Sequence, residues 1–510
     1  MKRNLMTIVS LMTLATMMAF TSCTKEATTG NGTQFRATME GCNAAKTELN
    51  GTALEWVSGD RIAVYGTAGV GIYSATPQTP ATIAVFDNVS GTTGDGPFRA
   101  FYPATLTTDG VNITLPFTQT YVEGSINEFP MYAESSDNQL AFKNLCGVLK
   151  LHLTKAGFSI SSIEVVANTE VNGTFSVSYN GGEPSLSYVS GGTNRVVLTC
   201  ATAKDISEGA DFYISLPATV DSVKSITIFA SNGYICTKRV KETSHVTVGR
   251  SQYAPITLGE ADLEFRPIGS KGGLFSINAD GGQVWFSQGN LQYQASTQTW
   301  QFAEHQYDRI GNSNSNISAT YTGWIDLFGW GTGSNPTNTS PNTADYSTFV
   351  DWGSCAIDNG GNLANAWRTL SASEWGYIIN GRSGAESKRG LGRVNGIYGE
   401  ILLPDNWQLP EGLSFSNNVT NCQNTYSLSQ WKEMEANGAI FLPNGGWRYT
   451  SGSTITITGL SHEHGRYWTS SEYDNNAAYE LYFYPHYGTL HTSSTYKSYG
   501  YPVRLVQDND

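Results

Sequence analysis

Tyr473, Tyr479, Tyr482, Tyr484, Tyr487, Tyr496, Tyr499 and Tyr501 crowd the last stretch of the chain. They are interleaved with Asp474, Asn475, Asn476, His486, His491, Ser493, Ser494 and Ser498, almost without formal charge. The chemistry this mixture does best is noncovalent recognition. Tyrosine supplies a large amphipathic contact area with only two side-chain torsions to freeze, while Ser, Asn and Gly add adaptable hydrogen bonds. The competing reading is an edge hairpin or a tyrosine-rich core, but a core would favour Leu, Ile and Val over so many hydroxyls in need of partners. All of these residues except Ser493 are therefore taken as candidate ligand contacts.

Catalysis needs acid, base or nucleophilic groups that converge, and the sequence offers no such set, so no enzyme, metal or cofactor is expected. His462-Glu463-His464 lacks the His-Glu-x-x-His spacing of a zinc site and reads as a polar loop. His486 and His491 could face one ligand, and binding-surface imidazoles explain them as well as a metal does. Gly66-Thr67-Ala68-Gly69-Val70-Gly71 imitates a phosphate loop but leads into no helix and no P-loop lysine, which makes it a turn. Cys42, Cys146, Cys200, Cys236, Cys355 and Cys422 are dispersed, with no Cys-x-x-Cys pair, so a redox centre or structural zinc is not expected.

At 510 residues the chain exceeds one ordinary core and suggests roughly three domains. Charged residues are sparse, glycine and aromatics plentiful, and long helical periodicities hard to find, which points to a mainly β architecture. A net charge of -13 argues against nucleic acid, whose phosphates demand a basic stripe. Lys2 and Arg3 precede an apolar run from Leu5 to Phe20, and Phe20-Thr21-Ser22-Cys23 follows. This reads as a secretory signal over 1–23 with a lipobox, the run being short and interrupted for a permanent span. It resembles the signals of bacterial lipoproteins, in which Cys23 would carry the acyl chains that hold the protein on the outer membrane. Residues 24–36 read as a flexible tether.

The elements that must position the tyrosines follow. Arg61-Ile62-Ala63-Val64-Tyr65, Val148-Leu149-Lys150-Leu151-His152-Leu153, Ser162-Ile163-Glu164-Val165 and Ser225-Ile226-Thr227-Ile228 alternate with the period of half-buried strands. Turn residues punctuate them at the spacing of a sandwich, giving two expected β-sandwich domains over 37–138 and 139–260. Leu54-Glu55-Trp56-Val57-Ser58-Gly59-Asp60-Arg61, Phe101-Tyr102-Pro103-Ala104, Phe142-Lys143-Asn144-Leu145-Cys146-Gly147 and Phe212-Tyr213-Ile214-Ser215-Leu216-Pro217-Ala218, in this order behind a lipobox, resemble the fimbrillin-like lipoproteins. That resemblance implies transthyretin-like sandwiches and a place as fimbrial shaft, anchor or tip subunit, with other fimbrial subunits as partners. It also implies strand exchange after cleavage at an arginine, for which Arg36 is conceivable.

Residues 261–274 read as a linker, with Glu264-Phe265-Arg266-Pro267-Ile268-Gly269 a hinge. Beyond it tryptophan becomes frequent, which marks a further domain over 275–507 with its own aromatic core. Ser371 with Glu374 forms a capping box that opens a helix with Trp375, Ile378 and Ile379 inward. Ser427 with Gln430 opens another through Trp431 and Met434, ending at Asn437-Gly438. The polar stretch from Gly311 to Ala344 is expected to be mostly surface excursion. Trp367-Arg368-Thr369-Leu370-Ser371, Phe441-Leu442-Pro443-Asn444-Gly445-Gly446-Trp447-Arg448, Gly465-Arg466-Tyr467-Trp468-Thr469-Ser470-Ser471 and Val503-Arg504-Leu505-Val506 together resemble the C-type-lectin-fold variable proteins of diversity-generating retroelements. The same framework occurs in formylglycine-generating-enzyme-like domains, whose late catalytic cysteine pair has no counterpart here.

The resemblance implies an α+β lectin fold whose segment between the last two motifs is rewritten at asparagine codons. Randomising the first two bases of a codon ending in a pyrimidine yields Tyr, His, Asn, Asp, Ser, Thr, Ala, Pro or Gly, among others, but never Lys, Glu, Gln, Met or Trp. Glu480 and Lys497 break that rule and are either fixed framework positions or evidence against variation. Alternation in Tyr479-Glu480-Leu481-Tyr482-Phe483-Tyr484 puts Leu481 and Phe483 inward and Tyr482 and Tyr484 outward. The expectation is a lipid-anchored surface adhesin, at a fimbrial tip or standing alone, that binds a protein or glycan on a cell, host or phage surface. A structural shaft or anchor subunit is the alternative, and a formylglycine-generating-like enzyme a more distant one.

Overall fold

The computed structural model describes residues 34–40, 43–44, 54–77, 79–126, 129–240, 245–461, 464–484 and 489–509. Cys23 and the signal, most of the tether, Cys42, His462, Glu463, His486 and Tyr487 lie outside them. The described chain is mainly β, as the alternating runs predict, and divides into two compact units.

The first unit draws on residues 34–40, 54–105 and 132–143. Seven strands close into a ring in the order Phe35–Met39, Gln139–Asn144, Met131–Ser135, Phe98–Tyr102, Arg61–Gly66, Gly69–Ala75 and Ile83–Gly91. Phe35–Met39 completes the ring by pairing parallel with Gln139–Asn144 and antiparallel with Ile83–Gly91. It fills the gap that an open sheet would leave there, so the strands close as a barrel where two separate sheets were expected. Ile62 and Val64 point inward, and Trp56 packs edge-on against Phe86, Tyr102 and Phe142.

Residues 106–131, inside the expected first domain, cluster instead with the second unit. Asn112–Leu115 pairs with Gly173–Asn180, and Thr118–Val122 runs parallel to Arg195–Asp205. The second unit contains a two-sheet layer whose apolar core sets Leu149, Leu151, Leu153, Phe212 and Ile214 with Ile163, Val165, Ile226 and Ile228. The hinge expected near 264–269 is packed: Phe265 stacks on Phe158 with ring centroids 4.1 Å apart, and Arg266–Pro267 adds an edge strand beside Tyr234–Arg239. Phe265 gave the segment aromatic surface to bury, which overrode its turn residues.

The C-terminal part of the same unit is tied at its own ends, because Gln283–Ser287 pairs with Leu505–Asp508 and the latter with Arg368–Thr369. Both capping boxes form. Ser371 caps Ala372–Gly376 and Ser427 caps Leu428–Ala436, which ends at Asn437 followed by Gly438 with φ 90°. Trp375, Ile378 and Ile379 enter one core with Tyr467, Leu481 and Phe483; Trp300, Trp330, Trp352, Trp367 and Trp468 form another with Ala478 and Tyr501. The polar stretch from 311 to 344 is only partly an excursion, since residues 325–333 are all buried. Its own side chains make this affordable: Asn314 Nδ2 donates to Asp326 Oδ1 at 2.7 Å, Asn314 Oδ1 accepts from the Asp326 and Leu327 N–H, and Asp326 Oδ2 accepts from Ile310 N–H at 2.9 Å.

Candidate recognition face

The tyrosine-rich segment folds as an antiparallel sheet of Gly465–Glu472, Ala477–Tyr484 and Thr489–Tyr496. Directly opposed residues of antiparallel strands lie on one face, so the register decides which candidates can act together. Arg466 opposes Tyr482, which opposes His491; Trp468 opposes Glu480; Tyr479 opposes Ser494, and Ala477 opposes Tyr496. The candidates therefore divide between two faces and do not form a single one.

On one face lie Tyr482, Tyr484 and His491. The Tyr482 and Tyr484 rings are nearly parallel, 12° apart with centroids separated by 5.9 Å, and His491 meets Tyr482 edge-on at 5.8 Å. Trp447 and His464 complete this cluster, with His464 5.2 Å from Tyr484 and 5.4 Å from Trp447. Beneath them Arg466 holds its guanidinium carbon 4.5 Å from the Tyr482 ring and 5.4 Å from that of Trp447. Its Nη1 donates to Glu480 Oε1 at 2.8 Å and Oε2 at 3.1 Å. Burial pushes Glu480 up to about 7 despite the Arg466 charge, while Tyr501 and Glu480 outweigh burial in holding Arg466 above its usual range.

On the other face are Tyr479, Ser494 and Tyr496, joined by Tyr473, whose ring meets Tyr479 edge-on at 5.3 Å. Tyr473 and Tyr496 are 56% and 57% exposed, the most open of the described candidate tyrosines. Leu481 and Phe483 share this side but are sealed in the core, as alternation predicts, so the tyrosines surround a buried apolar strip.

The turn between the strands is built by Asp474, whose Oδ1 accepts from the N–H groups of Asn476 and Ala477, both at 2.8 Å. Asn475 is exposed at its tip, and Asn476 accepts a hydrogen bond from Thr343 Oγ1 at 2.7 Å. Tyr499 is half-buried and packs edge-on to Tyr496 at 5.8 Å. Ser498 and Tyr501 are corrections: both are buried, and Tyr501 at 0% exposure packs on Trp468, so neither offers a ligand its side chain. They follow the sheet in the closing stretch that returns to the core, which local composition does not reveal.

Glu480 and Lys497, the two residues outside the pyrimidine-codon set, are both buried. Glu480 is 1% exposed against Arg466. Lys497 is 0% exposed, its Nζ 4.7 Å from the Trp330 ring centroid, pairing with Glu472 and donating to the Asn475 carbonyl at 3.2 Å. Sequence reasoning missed Trp447, His464 and Arg466 as site residues. Trp447 and Arg466 were read only as framework, and the cross-strand pairing of Arg466 with Tyr482 was the signal, visible once the register is known.

Residues 418–506, which include this sheet, match a family described as "Domain of unknown function (DUF8237)". No curated protein matches the chain. Among solved structures, a candidate cell adhesion protein from Bacteroides ovatus ATCC 8483 is 15% identical over 46% of this chain and 95% of its own, with a TM-score of 0.30. A candidate cell adhesion protein from Bacteroides uniformis ATCC 8492 is 18% identical over 47% and 97%, also at 0.30. A fimbrial protein from Bacteroides ovatus ATCC 8483 is 11% identical over 93% of this chain and 99% of its own, at 0.24.

Proposed function

We propose that this protein is a cell-surface adhesin or fimbrial subunit that works by display, without catalysis. In this reading Cys23 carries the lipid anchor, residues 37–260 form a fimbrillin-like stalk, and 275–507 form a C-type-lectin-like head. The head presents the tyrosine-rich sheet to a protein or glycan on another cell, host or phage surface, at a fimbrial tip or standing alone. The observation that carries the reading lies within one strand. Ala477–Tyr484 buries Ala478, Glu480, Leu481 and Phe483 while leaving Tyr479, Tyr482 and Tyr484 at the surface. Such a strand keeps its fold through one set of residues and offers the other set for contact, which is also what a hypervariable segment requires.

The test is a glycan and surface-protein array probed with the full chain and with a Tyr482→Ala, Tyr484→Ala, Tyr496→Ala variant. Specific capture by the wild type that the variant loses is the expected result. Equal capture by both would overturn the assigned surface, and incorporation of the chain as the repeating species of a fibre would favour the shaft reading.

A further inference from the structure

Arg466 carries a feature that aromatic display alone does not require. Its guanidinium is clamped between rings, with Trp447, Tyr482 and Tyr501 at 5.4, 4.5 and 5.7 Å from its carbon, and its Nη1 is anchored by Glu480 and, at 3.2 Å, by the Tyr501 hydroxyl. The other edge of the fork is vacant. Nε is buried without a hydrogen-bond partner, and Nη2 makes none of the hydrogen bonds among the described residues. The Nε and Nη2 pair is one of the two-donor edges that take a carboxylate in parallel hydrogen bonds. A guanidinium fixed in place has already lost the rotamer freedom that a surface arginine would lose on binding. Beside this edge the Tyr482 and Tyr484 rings stack nearly parallel, with the imidazoles of His464 and His491 edge-on to them.

We propose, resting on the adhesin reading above, that Arg466, Tyr482 and Tyr484 form a subsite for an acidic sugar, the carboxylate taken by the Arg466 fork and a pyranose face laid on the tyrosine rings. Nε is buried in this structure, so the two-donor grip requires the rings around the guanidinium to give way on binding. A sugar fits better than an acidic peptide because an aromatic face suits the C–H face of a pyranose, and the phenol and imidazole groups around it suit sugar hydroxyls. Glu480 sits at the opposite, Nη1 end of the guanidinium. Burial raises its pKa to about 7, so on acidification it becomes neutral while a uronate, an ordinary carboxylic acid, stays charged. The groups facing Glu480 are Arg466, Tyr501 and, beyond Arg466, Tyr482, with His464 and His491 at the rim. Binding is then stronger at pH 6 than at pH 8.

The experiment titrates the full chain with oligogalacturonate, its fully methyl-esterified form and oligoglutamate. The acid saccharide binds, the ester binds at least tenfold more weakly, and oligoglutamate does not bind. Arg466→Gln combined with Glu480→Gln removes the buried pair together and lowers affinity at least tenfold. Tyr484→Ala does the same without touching a buried charge, and Tyr188→Ala, an exposed site outside the sheet, leaves affinity unchanged. Glu480→Gln alone binds at pH 8 as the wild type does at pH 6, which separates this group from the two histidines. Equal binding of acid and ester, preference for oligoglutamate, no saccharide binding, or full affinity in a folded double variant or in Tyr484→Ala would overturn the proposal. If the array finds a different ligand lost with the tyrosines, the adhesin reading stands and only the acidic-sugar subsite falls.

Discussion

Glu400 lies on the Ile397–Leu402 strand between Leu391 and Leu442 and is 1% exposed. Burial raises its pKa from 4.5 to about 8, with the Arg389 charge opposing the shift only in part. Between those two values the folded state holds a proton that the unfolded chain has released, so stability falls as pH rises through this window. A shift of this size corresponds to about 4 to 5 kcal/mol over the whole window and about 3 kcal/mol by pH 7, at ~1.4 kcal/mol per pKa unit. Glu400→Gln keeps the shape and cannot ionise. The wild type and the variant should therefore unfold alike in urea at pH 4.5, with the variant more stable by about 3 kcal/mol at pH 7 and by more at pH 9. Tryptophan fluorescence follows the transition, because the tryptophans other than Trp56 all lie beyond residue 284. Glu480 and Asp326 contribute pH dependence of the same sign but are common to both proteins and cancel in the difference. A stability difference that stays flat from pH 4.5 to 9 would refute the reasoning.

Further outcomes separate framework from surface. Leu481→Ala should cost about 2–5 kcal/mol in the same unfolding measurement, whereas Tyr496→Ala, on the neighbouring strand, should stay within about 0.5 kcal/mol. Ser427→Ala removes the cap on Leu428–Ala436 and should cost about 1 kcal/mol, with Ser427→Asp restoring most of it. Sequencing of close relatives should find substitutions concentrated at 473, 475, 494 and 496, with Glu480 and Lys497 unchanged; an even spread along 275–507 would count against a variable surface.

Local signals proved readable where one residue type meets one backbone need. The capping boxes at Ser371 and Ser427, the left-handed Gly438 and the inward Leu481 and Phe483 all follow from short-range stereochemistry. Longer-range facts did not. The division of the tyrosines between two faces depends on cross-strand register, which no single strand encodes. Tyr501 looks identical to Tyr496 in composition, yet the chain turns back between them and buries it against Trp468. Residues 325–333 sit inside a stretch rich in Asn, Ser, Thr and Gly, which masks the apolar Ile325, Leu327, Phe328 and Trp330; Asn314 and Asp326 serve the buried backbone, and only their partners reveal it. Likewise the closure of the first barrel rests on Phe35–Met39 lying between two strands distant in sequence.

On the proposed reading, the surface tyrosines of the sheet over residues 465–496 make the contacts while its buried residues hold the fold. The most direct measurement takes a surface that captures the wild-type chain on the array and compares, at equal concentration, Tyr482→Ala with Tyr484→Ala, Tyr473→Ala with Tyr496→Ala, and all four changes together, each with its melting temperature. Unchanged melting, with loss of capture in at least one pair and in the fourfold variant, is the expected result. Undiminished capture by the folded fourfold variant would contradict it.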